Sequence, residues 1–320
     1  MLIRSPMRKR RLTSFGSSAD VAIFFAMPGN EGLARDLAEL ASGELGELEV
    51  RRFPDGETYV RVKSDVCRRD VYLVCTLARP DPQFLGLSYV AAELSQLGAK
   101  RVALIAPYLS YMRQDRIFHP GEALTSRIFA LLLQQHFQRL ITVDPHLHRH
   151  ASLDEVYDIP SSVVQIAPLF AAWIAANVHD PVVIGPDEES AQWVERIATT
   201  AGVPWMVFRK QRQGDRRVQI TQSDFTAHHG RTPVLVDDIV SSGTTMKQAL
   251  RILRNDGFEA PYCLAIHSLC TAGIARYLRD NSAGFLTSNT VPNSDAVFDV
   301  APLIADMLVS GAALSSSFAA

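Results

Sequence analysis

The chain has 320 residues, with 32 Lys and Arg against 34 Asp and Glu, a formal net charge of −2, 47% hydrophobic residues and 21% charged residues. That apolar content excludes disorder over most of the length, and no uninterrupted apolar run of about 18 residues argues for a membrane span. At this size a single core has usually stopped growing, so two domains of roughly 150 residues are expected.

Residues 1–11 carry Arg4, Arg8, Lys9, Arg10 and Arg11 and no acid. This tip lacks the apolar run of a secretory signal and reads as a disordered leader over residues 1–19, or as an anion-binding arm. The remainder is mildly acidic, which argues against a general nucleic-acid coat. From residue 21 to residue 308, short β-type runs alternate with helix-type segments. VAIFF is followed by LARDLAELA, whose leucines have helical spacing. LEVRRF and YVRVK flank a Pro-Asp-Gly turn. Buried-strand runs start at Asp70, Arg101 and Leu140, separated by helical stretches ending near Gly98 and covering 123–137.

The second half has the same rhythm. A helix is expected over Ser162–Asn177, then the strand PVVIGPD, a helix from Glu188 to Ala201, the runs WMVFRK and RVQIT, and the strand TPVLVDDI. Helices over Met246–Asp256 and Ala272–Arg279 frame APYCLAIHSL, and residues 309–320 read as a flexible tail. Strand–helix alternation implies parallel sheets flanked by helices, in two α/β domains spanning about 20–160 and 161–308. The cysteines at 67, 75, 263 and 270 form no C-x-x-C pair and have no zinc-type spacing. They read as small buried hydrophobes, and a reducing cytoplasm fits.

In such sheets ligands bind beyond the carboxyl ends of the strands. VLVDDIVSSGTT runs an apolar strand into Asp237 and Asp238, then into the turn Ser241-Ser242-Gly243-Thr244-Thr245 and a helix. Backbone N–H groups, hydroxyls and a helix N-terminus suit a phosphate monoester, while the carboxylates suit sugar hydroxyls or a hydrated cation. The plainer reading is an ordinary capped helix. The chain contains no G-x-x-x-x-G-K-[ST] and no G-x-G-x-x-G. In RFPDGE, Phe53 offers a stacking face, and Asp55 and Glu57 can accept from an exocyclic amine; a plain hairpin turn is the alternative. YMRQDR groups Arg113, Gln114, Asp115 and Arg116 beyond a strand end, where arginine pairs with phosphate or simply with solvent. TVDPHLHRH places histidines at 146, 148 and 150. Pro145, which breaks regular pairing, and the lack of a carboxylate cluster completing the pattern weigh against a three-histidine zinc site and favour one histidine beside a phosphate–magnesium complex. GPD ends a strand at Asp187. FRKQR sets Lys210 and Arg212 two apart, suited to an anionic transition state or to a solvated basic edge.

These motifs, in this order, resemble the ribose-phosphate pyrophosphokinase (phosphoribosyl-pyrophosphate synthetase) family from about Pro28 to Leu308, closing with SNTVPNSDAVFDVAPLIADML. The resemblance implies two similar type I phosphoribosyltransferase-like domains. It also implies transfer of the pyrophosphoryl group of ATP to the anomeric hydroxyl of ribose 5-phosphate, with AMP leaving. By motif, Phe53, Asp55, Glu57, Arg113, Gln114 and Asp115 would hold ATP. Asp237, Asp238 and Ser241 to Thr245 would hold ribose 5-phosphate. His146 and Asp187 would serve the Mg2+ site, and Lys210 and Arg212 would be the catalytic pair. A homo-oligomer with the ATP site near a subunit interface is also implied. Two rivals come with the resemblance: a non-catalytic regulatory homologue, and a phosphoribosyltransferase.

The chain departs from the family pattern in places. Ser241 stands where Asp is common, Ser242-Gly243-Thr244 replaces the usual central triplet, and Glu188, Glu189 and Ser190 follow GPD in place of a Gly pair. Asp65 and Cys67 replace the Ser and Arg of the phosphate-activated class. A carboxylate there repels phosphate, so weak or absent activation by phosphate is expected.

Overall fold

Central strands in this protein are unbroken apolar runs, because helices cover both faces of each parallel sheet. The computed structural model describes residues 21–213, 217–221 and 225–315, with side chains described for 21–208 and 225–310. The described chain falls into two units. One runs up to Val164 and includes the segment from Val300; the other is Gln165–Asp299.

The first unit begins with β1 (Ile23–Ala26), α1 (Glu31–Leu40) and the short edge strand β2 (Glu44–Leu45). A hairpin follows, β3 (Leu48–Arg52) and β4 (Thr58–Val62). Then come β5 (Asp70–Val74), α2 (Pro80–Gln96), β6 (Arg101–Ala106), α3 (Thr125–Gln134), β7 (Arg139–Val143) and β8 (Ser161–Val164). The sheet order is β2-β1-β5-β6-β7-β8, parallel throughout, while β3 and β4 pair antiparallel as a separate ribbon. Phe25, Leu73, Leu104 and Leu140 lie side by side in register across four strands, each at most 1% exposed. Truncating one of these leucines to alanine would cost about 2–5 kcal/mol, because neighbours on a packed sheet collapse poorly into the void. Helix α2 starts on Pro80, which lacks the N–H that a first turn could not pair in any case. It buries Leu87, Val90, Ala91 and Leu94 against this sheet.

The second unit comprises α4 (Ala167–Asn177), β9 (Pro181–Gly185), α5 (Ala191–Ala201) and β10 (Trp205–Val207). The hairpin β11 (Arg209–Gln213) and β12 (Arg217–Thr221) follows. Next are β13 (Thr232–Val240), α6 (Thr244–Asn255), β14 (Tyr262–Ser268), α7 (Ala272–Asp280), β15 (Gly284–Ser288) and β16 (Ala296–Phe298). Its parallel order, β10-β9-β13-β14-β15-β16, repeats that of the first unit strand for strand, with β11 and β12 again a separate antiparallel ribbon. The last helix, α8 (Ala301–Ser315), packs on α1 in the first unit, as α4 packs on α5 in the second.

Three expectations need adjusting. Ser161–Val164 is strand β8, not the start of a helix: its valines pair with β7, and the helix begins only at Ala167, with Pro168 in its first turn. The units part at Val164 and at Asp299, so the segment from Val300 returns to the first unit. The region from residue 309, expected as a loose tail, is helical as far as Ser315. Among the described residues no helix is long and apolar enough to cross a membrane. Cys75 and Cys263 are buried, and burial pushes both thiols up to about 12. Cys67, by contrast, is exposed.

Candidate active site

In the second unit, Asp237 and Asp238 lie near the carboxyl end of β13, where apolar Val234–Val236 give way to polar residues. Asp238 is buried, and its Oδ1 accepts from the Ile239 N–H at 2.8 Å. Asp237 Oδ1 accepts from the Asp238 N–H at 3.1 Å. Burial pushes the Asp237 carboxyl well above the usual carboxylate range, and the charges of Asp238 and Asp187 push it the same way. Three carboxylates therefore share one electrostatic neighbourhood. A cation placed there would relieve their repulsion.

Asp187 stands at the end of β9, and its Oδ1 accepts from the Glu189 N–H at 3.1 Å. The preceding Gly185 is required by space: a Cβ there would lie 2.2 Å from Ser190 Oγ and 2.8 Å from a Val207 methyl. After β13, Ser242 Oγ lies 3.0 Å from Thr244 Oγ1, and the first amides of α6 have no intrahelical partner. Gly243 makes the bend at φ +69, and a Cβ there would also strike Ile274 Cγ2 at 2.6 Å. Ser242 and Thr244 are exposed and Ser241 and Thr245 half-buried, so the turn presents hydroxyls to solvent. Lys210 and Arg212 fall on β11, opposite Ile220 and Val218. Their side chains lie outside the described residues.

In the first unit, the loop Phe53–Glu57 caps the β3–β4 ribbon. Phe53 N–H donates to Glu57 O at 2.8 Å, Gly56 turns at φ +94, and Asp55 Oδ1 accepts from the Glu57 N–H at 3.1 Å. Phe53 is 39% exposed, a large apolar cost for one side chain in water. The Arg51 guanidinium lies 4.6 Å from the Phe53 ring centre and 4.2 Å from that of Tyr59, which orients the exposed ring. Arg52 ties the ribbon down, donating to Gly56 O at 3.1 Å and to Pro82 O at 2.8 Å. Beneath it lies a cavity of about 210 Å³ lined by Met27, Pro28, Arg52, Thr58, Gln83 and Gly86.

The RQDR loop follows β6. Arg113 and Arg116 are exposed and Gln114 is half-buried. Asp115, expected at the nucleotide, is turned inward: its side chain is 0% exposed and pairs with Arg149 at 2.6 Å. In the loop after β7, the His146 and His148 rings are 6.3 Å apart, while His150 turns to Glu155 at 2.9 Å. The three histidines therefore do not line one face, since the segment bends through a turn. Among the described residues, no three His, Cys, Asp or Glu side chains form a group that could hold a metal. Magnesium does not need one, because it takes one or two protein ligands together with waters and phosphate oxygens. Arg149 escapes sequence reasoning, since its partner Asp115 lies 34 residues away on another loop; the period-2 pattern of HLHRH draws attention to its histidines instead.

Comparison with known proteins agrees with this anatomy. Residues 22–136 match the N-terminal domain of ribose phosphate pyrophosphokinase, and residues 152–304 match the phosphoribosyl transferase domain. A ribose-phosphate pyrophosphokinase of Methanopyrus kandleri is 35% identical over 278 residues, covering 86% of this chain and 94% of that protein. One from Saccharolobus solfataricus is 31% identical over 268 residues, covering 82% and 91%. The crystal structure of phosphoribosylpyrophosphate synthetase from Mycobacterium smegmatis superposes with a TM-score of 0.80 at 24% identity, covering 92% of this chain and 99% of that one, a likeness of fold. With both domain models matched in order and relatives aligned over almost their whole length, the chain belongs to the ribose-phosphate pyrophosphokinase family.

Proposed function

We propose that the protein transfers the pyrophosphoryl group of ATP to the anomeric hydroxyl of ribose 5-phosphate, forming phosphoribosyl pyrophosphate and AMP. The observation that carries this reading is the run from Asp237–Asp238 straight into an open hydroxyl turn at the head of α6. Two adjacent carboxyl groups at one strand end, Asp237 and Asp238, offer paired oxygens to the two hydroxyls of a ribose diol. One turn further on, Ser241 to Thr245 supply hydroxyls and amides for the 5-phosphate. Phe53, Asp55 and Glu57 serve the adenine, and Arg113 and Gln114 the nucleotide phosphates.

Phosphoryl-type transfer asks the protein for position and charge neutralisation more than for covalent chemistry. Lys210 and Arg212 are assigned to the negative charge that grows on the transferring group. His146 and Asp187 are assigned to the Mg2+-binding positions, Asp187 with the carboxylates of β13 beside it. Held there, Mg2+ would supply positive charge against the phosphates and so lower the repulsion met by an incoming hydroxyl.

The protein is further read as a cytoplasmic homo-oligomer with the nucleotide hairpin near a subunit interface. Helix α3 supports the oligomer: Ile128, Leu131 and Leu132 are 36–56% exposed on the side away from its own core. An apolar helix face of this kind belongs in an interface, and light scattering that returned a monomer would remove the idea. The direct test of function is to mix protein, ATP, Mg2+ and ribose 5-phosphate and follow AMP. AMP that depends on the sugar supports the reading. Binding without AMP indicates a regulatory homologue, and consumption of phosphoribosyl pyrophosphate with a base indicates a phosphoribosyltransferase.

A further inference from the structure

Two loops of the first unit leave adjacent strands. The one after β6 carries Arg113 and Gln114, and the one after β7 carries His146. Both are bent in ways that side chains resist: Tyr111 sits at φ 63 and Asp144 at φ 31. Such conformations persist only where surrounding contacts over-determine them. Tyr111 packs its ring 4.6 Å from Phe129 and hydrogen-bonds Asp81. Arg149 Nη1 donates to Asp115 Oδ1 across the two loops, at 2.6 Å and 34 residues apart in sequence.

This pair is unlike a surface salt bridge. The Asp115 side chain is 0% exposed and its Oδ2 is buried without a partner, whereas Arg149 is 30% exposed. A carboxylate withdrawn from water is costly unless it is paired, so the pair holds together strongly once formed. Its placement also resolves a difficulty of charge. An acidic side chain facing a triphosphate would repel it, but Asp115 is turned into the protein and neutralised.

We propose that Arg149 and Asp115 form a latch, and that both are positioning residues: the pair fixes the His146 loop against the Arg113–Gln114 loop. This rests on the reading that the first unit holds ATP. Asp115 then acts through Arg149 and touches no nucleotide.

The test compares wild type, Arg149→Met, Arg149→Lys, Asp115→Asn and the Asp115→Asn/Arg149→Met double variant. KM for each substrate, kcat and melting temperature are measured. Small misplacement of binding groups costs on the order of 100-fold in rate or affinity, so the single variants are expected to raise the KM for ATP roughly ten- to 100-fold. KM for ribose 5-phosphate should stay within about twofold. Because the two residues act as one unit, the double variant should be no worse than the worse single one. Arg149→Lys keeps the charge and loses the fork, so it should recover part of the loss; it carries the test if Arg149→Met does not fold.

An unchanged KM for ATP in Arg149→Met with a lowered melting temperature would make the pair merely structural and overturn the latch. A KM for ATP raised in Asp115→Asn but unchanged in Arg149→Met would make Asp115 a direct ligand and overturn it too. A wild-type enzyme that forms no AMP would overturn the functional reading itself, which the same assay separates from failure of the latch.

Discussion

The loops after β5 and β13 occupy the same place in two repeated sheets, yet one is shut and the other open. After β5, Leu77 is fully buried, the Thr76 N–H donates to Asn30 Oδ1 at 2.8 Å, and Gln83 Nε2 donates to Thr76 O at 3.1 Å. Side chains of the protein itself satisfy both backbone groups of Thr76. After β13, Gly243 makes the bend with no side chain to fill it, and Ser242 and Thr244 bond each other at the surface. The repeated scaffold therefore leaves the openness of each loop to the residues at the strand end. The two hairpins differ in the same way, with Phe53 and its Arg51 support on one and the positions of Lys210 and Arg212 on the other.

The sharpest way to break this contrast is at the second hairpin. Lys210→Ala should lower kcat by about 100- to 1000-fold, the effect typical of removing one donor to developing negative charge, while ATP binding measured by calorimetry stays largely intact. Near-normal kcat would remove Lys210 from the chemistry. The next test is at β13. The folded pKa of Asp237 lies above its unfolded value, so folding is penalised as pH rises through the ordinary carboxylate range towards the folded pKa, and the penalty is absent below that range. Asp237→Asn should therefore raise the melting temperature at pH 7 and lose that advantage in acid, while weakening ribose 5-phosphate at least tenfold. A variant less stable at neutral pH would contradict the assigned cause.

A smaller change is expected at Phe53, which is exposed and can be removed without a cavity. Phe53→Ala should raise the KM for ATP several-fold with little change in melting temperature. The smallest effect expected is none at all. The Asp65 carboxylate is exposed and accepts from the Cys67 N–H at 2.9 Å, and Arg68 beside it sits at φ 59. Inorganic phosphate should therefore leave the rate within about twofold; a strong saturable activation would contradict this.

Much of this contrast can be read in the sequence, because it is written in local residues. VLVDD leading to SSGTT, and PDG between two alternating runs, specify their own turns. Strand–helix alternation likewise specifies two parallel sheets. What stays hidden depends on distant partners. Ser161–Val164 becomes an edge strand only because β7 is there to pair with it, and α8 is drawn back across the chain to the apolar face of α1. The closing of the β5 loop needs Asn30, 46 residues away. The inward turn of Asp115 needs Arg149, whose charge gives no sign in sequence of the partner it will find.

The central claim is that a whole pyrophosphoryl group moves, not a single phosphoryl. Phosphorus NMR of a reaction containing ATP, Mg2+ and ribose 5-phosphate tests it directly. The account predicts AMP and a 1-pyrophosphorylated, 5-phosphorylated ribose in equal amounts. Accumulation of ADP with a singly transferred phosphate, or an unchanged spectrum from folded protein, would contradict it.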